Sequence, residues 1–163
     1  MKKPTVLLFL LASLAARADE APSEAMLAPV SVLAGCMAKG LPRDCALPFA
    51  ARGVTIMENF APHIFAGPDV VARWRRGFIQ HLADGGDQDL AFRFGPAQDF
   101  AVSGERVYFT LPTIWTGRYQ GQLFEEMGAW SFVLIAKGAE YRILGYSWGV
   151  MNAHLVASNR PTE

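Results

Sequence analysis

The sequence predicts an α+β domain in which a curved antiparallel sheet carries helices on one face. Two observations lead there. The first half holds the helical patterns. The strongest is an apolar repeat at Val71, Trp74, Phe78 and Leu82, whose spacings of three, four and four put one helix face against a core. The second half reads as strand after strand, and short turns join the last three, which makes them antiparallel neighbours. Helices on one side of an antiparallel sheet bury the apolar face of each layer.

Before these elements comes a leader. Lys2 and Lys3 precede an apolar run from Val6 to Ala16, and Ala16-Arg17-Ala18 offers small residues where a signal peptidase cleaves. The run is short of the roughly 20 residues needed to span a bilayer. The expectation is therefore an exported protein, periplasmic or secreted, cleaved near Ala18-Asp19. It leaves a 145-residue chain of the 163. The leader carries Lys2, Lys3 and Arg17 and no acid. Of 15 basic and 15 acidic residues, 12 basic and 15 acidic stay, a net charge of −3. That balance gives no electrostatic case for nucleic acid or an anionic membrane, and 52% apolar residues suffice for a packed core.

Residues 19–29 are polar and proline-bearing and read as a flexible segment. The domain is expected over 30–155, with a tail over 156–163. Val30 to Lys39 reads as a helix stopped by Gly40. Asp44 is placed to cap a second short helix through Ala50 or Ala51. Val54 to Phe60 is rich in β-formers. Pro68 and Asp69 suit the first turn of the amphipathic helix, which Gly85-Gly86 closes. Strands are then expected at Leu90–Phe94, Phe100–Val102, Arg106–Tyr119, Gly128–Ala136 and Tyr141–Val150. Turns are expected at Ser103-Gly104-Glu105 and at Lys137-Gly138-Ala139-Glu140. A strongly curved sheet with helices packed on it encloses a cone-shaped cavity, a natural small-molecule site.

Cys36 and Cys45 both fall in the exported part, where an oxidising compartment favours a disulfide. Leu33-Ala34-Gly35-Cys36 also resembles a lipoprotein cleavage box. Such a box directly ends the apolar leader, whereas here Asp19, Glu20 and Glu24 intervene.

Several segments resemble the NTF2-like superfamily, in particular its SnoaL-like branch. They are Arg43-Asp44-Cys45-Ala46-Leu47-Pro48-Phe49, the run Glu58-Asn59-Phe60-Ala61-Pro62-His63 leading to Gly67-Pro68, and two strands, Glu126 to Leu134 and Tyr141 to Trp148. The resemblance covers roughly residues 30–150 and implies the cone-shaped fold. It does not select an activity, since the superfamily includes isomerases, cyclases, epoxide hydrolases, dehydratases, binding modules and interaction domains.

In the resembling enzymes a pocket carboxylate serves as general base, and here that implies Glu58, whose alternative is a glutamate on the outer face of the strand or one paired with an arginine. Desolvation in an apolar cone would raise its pKa towards neutrality. His63, just beyond that strand, is the candidate partner as acid, base or ligand anchor. Its alternative is a hydrogen-bonded structural histidine. The tyrosine and aspartate pair of the ketosteroid isomerase type and the Asp-Arg-Asp set of the epoxide hydrolase type have no residue-by-residue counterpart. His63, His81 and His154 show no metal-ligand spacing, so no metal and no cofactor is expected. Gly145-Tyr146-Ser147-Trp148-Gly149 fits the nucleophile-elbow pattern. Only fourteen residues follow it, too few for the helix, acid and histidine that such a triad needs. Arg73-Trp74-Arg75-Arg76 reads as a solvated helix face.

Tyr108, Trp115, Tyr119, Trp130, Tyr146 and Trp148 all fall on expected strands. Their apolar bodies and polar tips suit a flat or amphipathic ligand. Tyr108, Trp115, Trp130, Tyr146 and Trp148 are the ligand-binding candidates.

The leading reading is an exported domain that binds a small apolar or amphipathic molecule in its cone. The second is a SnoaL-like or ketosteroid-isomerase-like enzyme with Glu58 as base and His63 or a tyrosine as partner. The third is a protein-interaction domain, with a homodimer as the candidate assembly. An enzyme calls for a carboxylate buried in the cavity with a polar partner within hydrogen-bond reach. A binder calls for an open cavity without that pair. An interaction domain calls for a filled cavity and an exposed apolar patch.

Overall fold

The computed structural model describes residues 21–156; the expected leader and the end of the tail lie outside them. Two helices, α1 (Glu24–Ala38) and α2 (Val70–Gly85), pack against seven strands. The strands are β1 (Thr55–Met57), β2 (Ile64–Ala66), β3 (Gln88–Phe94), β4 (Gln98–Ser103), β5 (Arg106–Tyr119), β6 (Gln122–Lys137) and β7 (Glu140–Leu155). The sheet order is β2-β1-β7-β6-β5-β3, with β4 also paired to β5. Every pairing is antiparallel except β1 with β7, so the sheet is mixed rather than purely antiparallel. The α+β class expected from the sequence is the observed one.

Four local expectations are corrected. Helix α1 begins at Glu24, so residues 24–29 are helical rather than flexible, and Pro29 lies inside the helix. An interior proline costs about 3 kcal/mol through the lost bond to Ala25 and the ring clash. Complete burial of Val30, Leu33 and Ala34 along the same helix offsets it. Residues 41–53 form no helix. Pro42 and Pro48 have no amide hydrogen to give one, and the sheet takes the backbone instead. Ile143 donates to the Pro48 carbonyl and Ala50 donates to the Ile143 carbonyl, each at 2.9 Å. The strand expected over Val54–Phe60 stops at Met57 because the chain folds back as β2. The Glu58 amide closes that hairpin on the His63 carbonyl at 2.9 Å. Finally, the buried face of α2 starts one residue earlier than expected, at Val70, and runs Val70, Trp74, Phe78, with Val71 and Leu82 partly buried against the core.

Cys36 and Cys45 are disulfide-bonded, with Cα atoms 6.0 Å apart. The bond ties the last turns of α1 to the loop that leads to β1. Closing a ring of about ten residues restricts the unfolded chain by about 2.5–3 kcal/mol. Replacing both cysteines by alanine should therefore lower Tm by roughly 5–10 °C. Calorimetry giving the same Tm for both proteins would show that the ring adds nothing.

Strands β6 and β7 run longer than the sequence indicates. A two-residue turn at Gln120-Gly121, with φ of 51° and 80°, suits the right-handed twist of a hairpin and extends β6 back to Gln122. In register, Trp130 faces Trp148 and Phe132 faces Tyr146. Two arginines of α2 are held on backbone carbonyls rather than in the core. Arg73 donates to the Ala66 carbonyl, and Arg75 donates to the carbonyls of Leu41, at 2.9 Å, and Pro42. Among the described residues no helix is long and apolar enough to cross a membrane.

Candidate functional site

The concave side of the sheet, α2 and the last turn of α1 enclose an open cavity of about 630 Å³. Its buried wall is formed by Met37, Glu58, Phe60, Phe78, Trp115 and Trp130. Strand periodicity brings Glu58 there: Ile56, Glu58 and Phe60 are buried while Thr55, Met57 and Asn59 are exposed.

Glu58 is 7% exposed and accepts two hydrogen bonds on one oxygen, Oε1. The indole Nε1 of Trp74 donates one at 2.9 Å, and the Tyr146 hydroxyl donates the other. Trp74 comes from α2 and Tyr146 from β7, so helix and sheet meet on this carboxylate. Burial is the dominant influence. It raises the Glu58 pKa from 4.5 to about 7, against the two donated bonds, which lower it; Glu126 adds a smaller upward push. The Tyr146 phenol is driven well above its ordinary value by burial and then by the adjacent Glu58, so it stays protonated and donates.

A second set of ionisable groups lines the cavity nearer solvent. Glu126 on β6 accepts a bond from Trp148 Nε1 at 3.0 Å. Burial raises its pKa, opposed by that bond and by His81. Burial likewise raises Asp87, opposed by His81. His81 on α2 stacks on Phe60, with ring centroids 5.0 Å apart and planes 19° apart. Gly128 makes room for Trp148, since a Cβ there would stand 2.4 Å from its ring.

The candidates from the sequence divide accordingly. Glu58, Trp115, Trp130 and Trp148 line the cavity, as does Tyr119. Tyr146 stands behind Glu58 and acts on the cavity only through it. His63 and Tyr108 are not brought to it. His63 is exposed, at φ 68° in the hairpin turn, and its Nδ1 donates to the Glu58 backbone carbonyl at 3.2 Å. It is a turn residue. Tyr108 has the wrong parity: Val107, Phe109, Leu111 and Trp115 face inward along β5, so Tyr108 faces outward and bonds Thr110 at 3.1 Å. Ser147 lies mid-strand on β7, which continues to Leu155, so the strand-to-helix turn of a nucleophile elbow does not form at it. Among the described residues no group of three or more His, Cys, Asp or Glu side chains could hold a metal ion.

Sequence reasoning missed Trp74, His81, Asp87 and Glu126 as site residues. Two carried a signal. His81 is seven residues after Trp74, on the same helix face, and Glu126 shares the strand parity of Trp130. Asp87 lies just beyond α2 and has no periodic signature.

No protein-family model matches the sequence, and no curated protein matches it. Solved structures do match in shape. A LinA-type3 hexachlorocyclohexane dehydrochlorinase from Novosphingobium barchaimii superposes with a TM-score of 0.67 at 9% identity, over 85% of this chain and 92% of the other. An NTF2-like protein with a cystatin-like fold from Novosphingobium aromaticivorans gives 0.60 at 13% identity, over 79% and 81%. A protein provisionally classed as a ketosteroid isomerase, from Shewanella frigidimarina, gives 0.58 at 19% identity, over 77% and 94%. At these identities the likeness establishes the fold, which is NTF2-like.

Proposed function

We propose that this chain is an exported proton-transfer enzyme. In this reading its cavity takes up a small amphipathic molecule and Glu58 removes a proton from a carbon of it. The observation that carries the reading is the buried Glu58 carboxylate on the cavity wall, its Oε1 held by Tyr146 and Trp74. A general base works best when its pKa lies near the operating pH, and Glu58 sits at about 7. With Oε1 engaged by two donors, Oε2 is the oxygen assigned to the substrate. The proton passes to Oε2 as the C–H electron pair moves into the substrate. It then returns to another carbon in an isomerisation, or stays while a leaving group departs in an elimination. The names of two fold neighbours, a dehydrochlorinase and a protein provisionally classed as a ketosteroid isomerase, fall in these two classes.

The pairing of Glu58 with a polar partner favours an enzyme over a passive binder, and the open cavity disfavours the interaction-domain reading. Export rests on the leader sequence alone.

The direct test is deuterium uptake from D2O into a panel of cyclic ketones and enones, followed by NMR. The expected rate rises with pH through a group titrating near 7. A panel that shows no protein-dependent exchange removes the reading. Tyr146→Phe deletes a bond that favours the ionised carboxylate, so the midpoint of that profile should move upward in pH. The buried partner left behind should also cost about 1–3 kcal/mol of stability in denaturant titration. An unmoved midpoint would take Tyr146 out of the mechanism.

A further inference from the structure

The charges that line the cavity are of one sign. Glu58, Asp84, Asp87 and Glu126 all line it, and none of the described lysines or arginines does. The arginines nearest in sequence are spent elsewhere, Arg73 on the Ala66 carbonyl and Arg75 on those of Leu41 and Pro42. His81 and His154 are the only cavity-lining groups among the described residues that can become positive. Even with both protonated and Glu58 neutral, the three acidic side chains Asp84, Asp87 and Glu126 face two imidazoliums.

We propose that the occupant of this cavity is an organic cation, an amine or a quaternary ammonium on an apolar skeleton, held between the carboxylates of Asp87 and Glu126 and the aromatic faces around them. The inference rests on the reading that the cavity takes up a small molecule, and it does not require Glu58 to be catalytic.

Three observations support it. First, an anionic ligand would meet no described lysine or arginine, and like charges at short range in a partly desolvated site repel strongly. Second, a neutral ligand would strip water from Glu126 and Asp87 without replacing it, which leaves Glu126 the single Trp148 bond and the two acids one nearby imidazole, His81, between them. A cation supplies the missing partner. Trp115, Trp148 and Tyr119 add ring faces of the kind that attract ammonium groups once water is displaced. Third, Trp130 lines the same cavity at 1% exposure, and its indole N–H has no hydrogen-bond partner among the described residues. A buried donor without a partner points to a ligand that brings an acceptor, so the cation is expected to carry a neutral oxygen as well. A negative cavity also draws cations in from solution.

Tryptophan fluorescence reads binding directly, because three of the four tryptophans line the cavity. The probes share one skeleton: 2-phenylethylamine, 2-phenylethanol and phenylacetate, each titrated into the protein as it is exported, near pH 7. The amine should bind at least about tenfold more tightly than the alcohol, the equivalent of one modest charge pair, and phenylacetate should not bind. Glu126→Gln should weaken the amine about tenfold and leave the alcohol unchanged. Asp87→Asn serves in its place if that variant does not fold. Equal affinity for amine and alcohol, or tighter binding of phenylacetate, overturns the cation while leaving the cavity as a ligand site. Failure of all three probes to bind overturns the cation proposal and the ligand-cavity reading together.

Discussion

Glu58→Gln is expected to lower turnover by about 10²–10⁴-fold, the usual contribution of a general base, while making the protein more stable at alkaline pH. The gain in stability follows from the direction of the pKa shift. In the folded chain Glu58 titrates at about 7 against 4.5 when exposed, so the folded state holds the proton more tightly than the unfolded one. The stability it contributes is fully present below about pH 4.5 and is lost as pH rises through about 7. A shift of about 2.5 units at about 1.4 kcal/mol each makes that loss about 3 kcal/mol by about pH 8. Glutamine stands in for the neutral acid, and its carbonyl oxygen can still accept from Trp74 and Tyr146. The variant should therefore match the parent near pH 4 and exceed it by up to about 3 kcal/mol near pH 8. Thermal unfolding at several pH values measures this. Parallel stability curves for the two proteins would mean that Glu58 is ionised at its ordinary pKa, and that would undo the proposed base. An active site that weakens the fold at working pH is a familiar trade between stability and activity.

Trp74→Ala should cost about 3–5 kcal/mol, the range for deleting a fully buried large aromatic, with a Tm lower by roughly 10 °C or more. Trp74 is 0% exposed and sits where helix, loop and sheet meet. Its ring centroid lies 5.6 Å from Phe49, 6.0 Å from Phe78 and 6.0 Å from Tyr146. Alanine leaves a void among these rings and removes one of the two bonds to Glu58. Trp74→Phe separates the two effects: it keeps much of the volume and loses only the N–H. It should be the milder variant in stability, yet it should move the midpoint of the Glu58 titration upward as Tyr146→Phe does. If the alanine variant lost less than about 1 kcal/mol, Trp74 could not be the joint between the layers.

How far the sequence could be read depended on whether a feature was local. Strand β5 was legible to the residue, because β-formers dominate Arg106 to Tyr119 even with Pro112 and Gly117 among them. The ends of β6 and β7 were not. Gln122 to Met127 and Met151 to Leu155 carry no strand signal strong enough by themselves, and they are extended because they pair with each other and with β5. Glu126 joined the site by that pairing. The missing helix after Asp44 has the same origin, since Ile143 takes the backbone of Pro48 and Ala50 from across the chain.

By itself the sequence determined the α+β class, the order from α2 onward and the close spacing of Cys36 and Cys45, while the face on which Glu58 lies stayed open. Periodicities of 3.6 and 2, turn residues and half-cystine spacing are properties of neighbouring residues, and they are written locally. What Glu58 meets inside was decided only by the tertiary structure. Tyr146 lies 88 residues away and Trp74 sixteen, and neither distance is encoded in any local pattern. The parallel pairing of β1 with β7 brings Ile56 level with Tyr146, and α2 lays Trp74 over both. The same folding left His63 in a turn. An exposed carboxylate of ordinary acidity thus becomes a buried one poised near neutral pH, because long-range packing removes its water and supplies two donors in return.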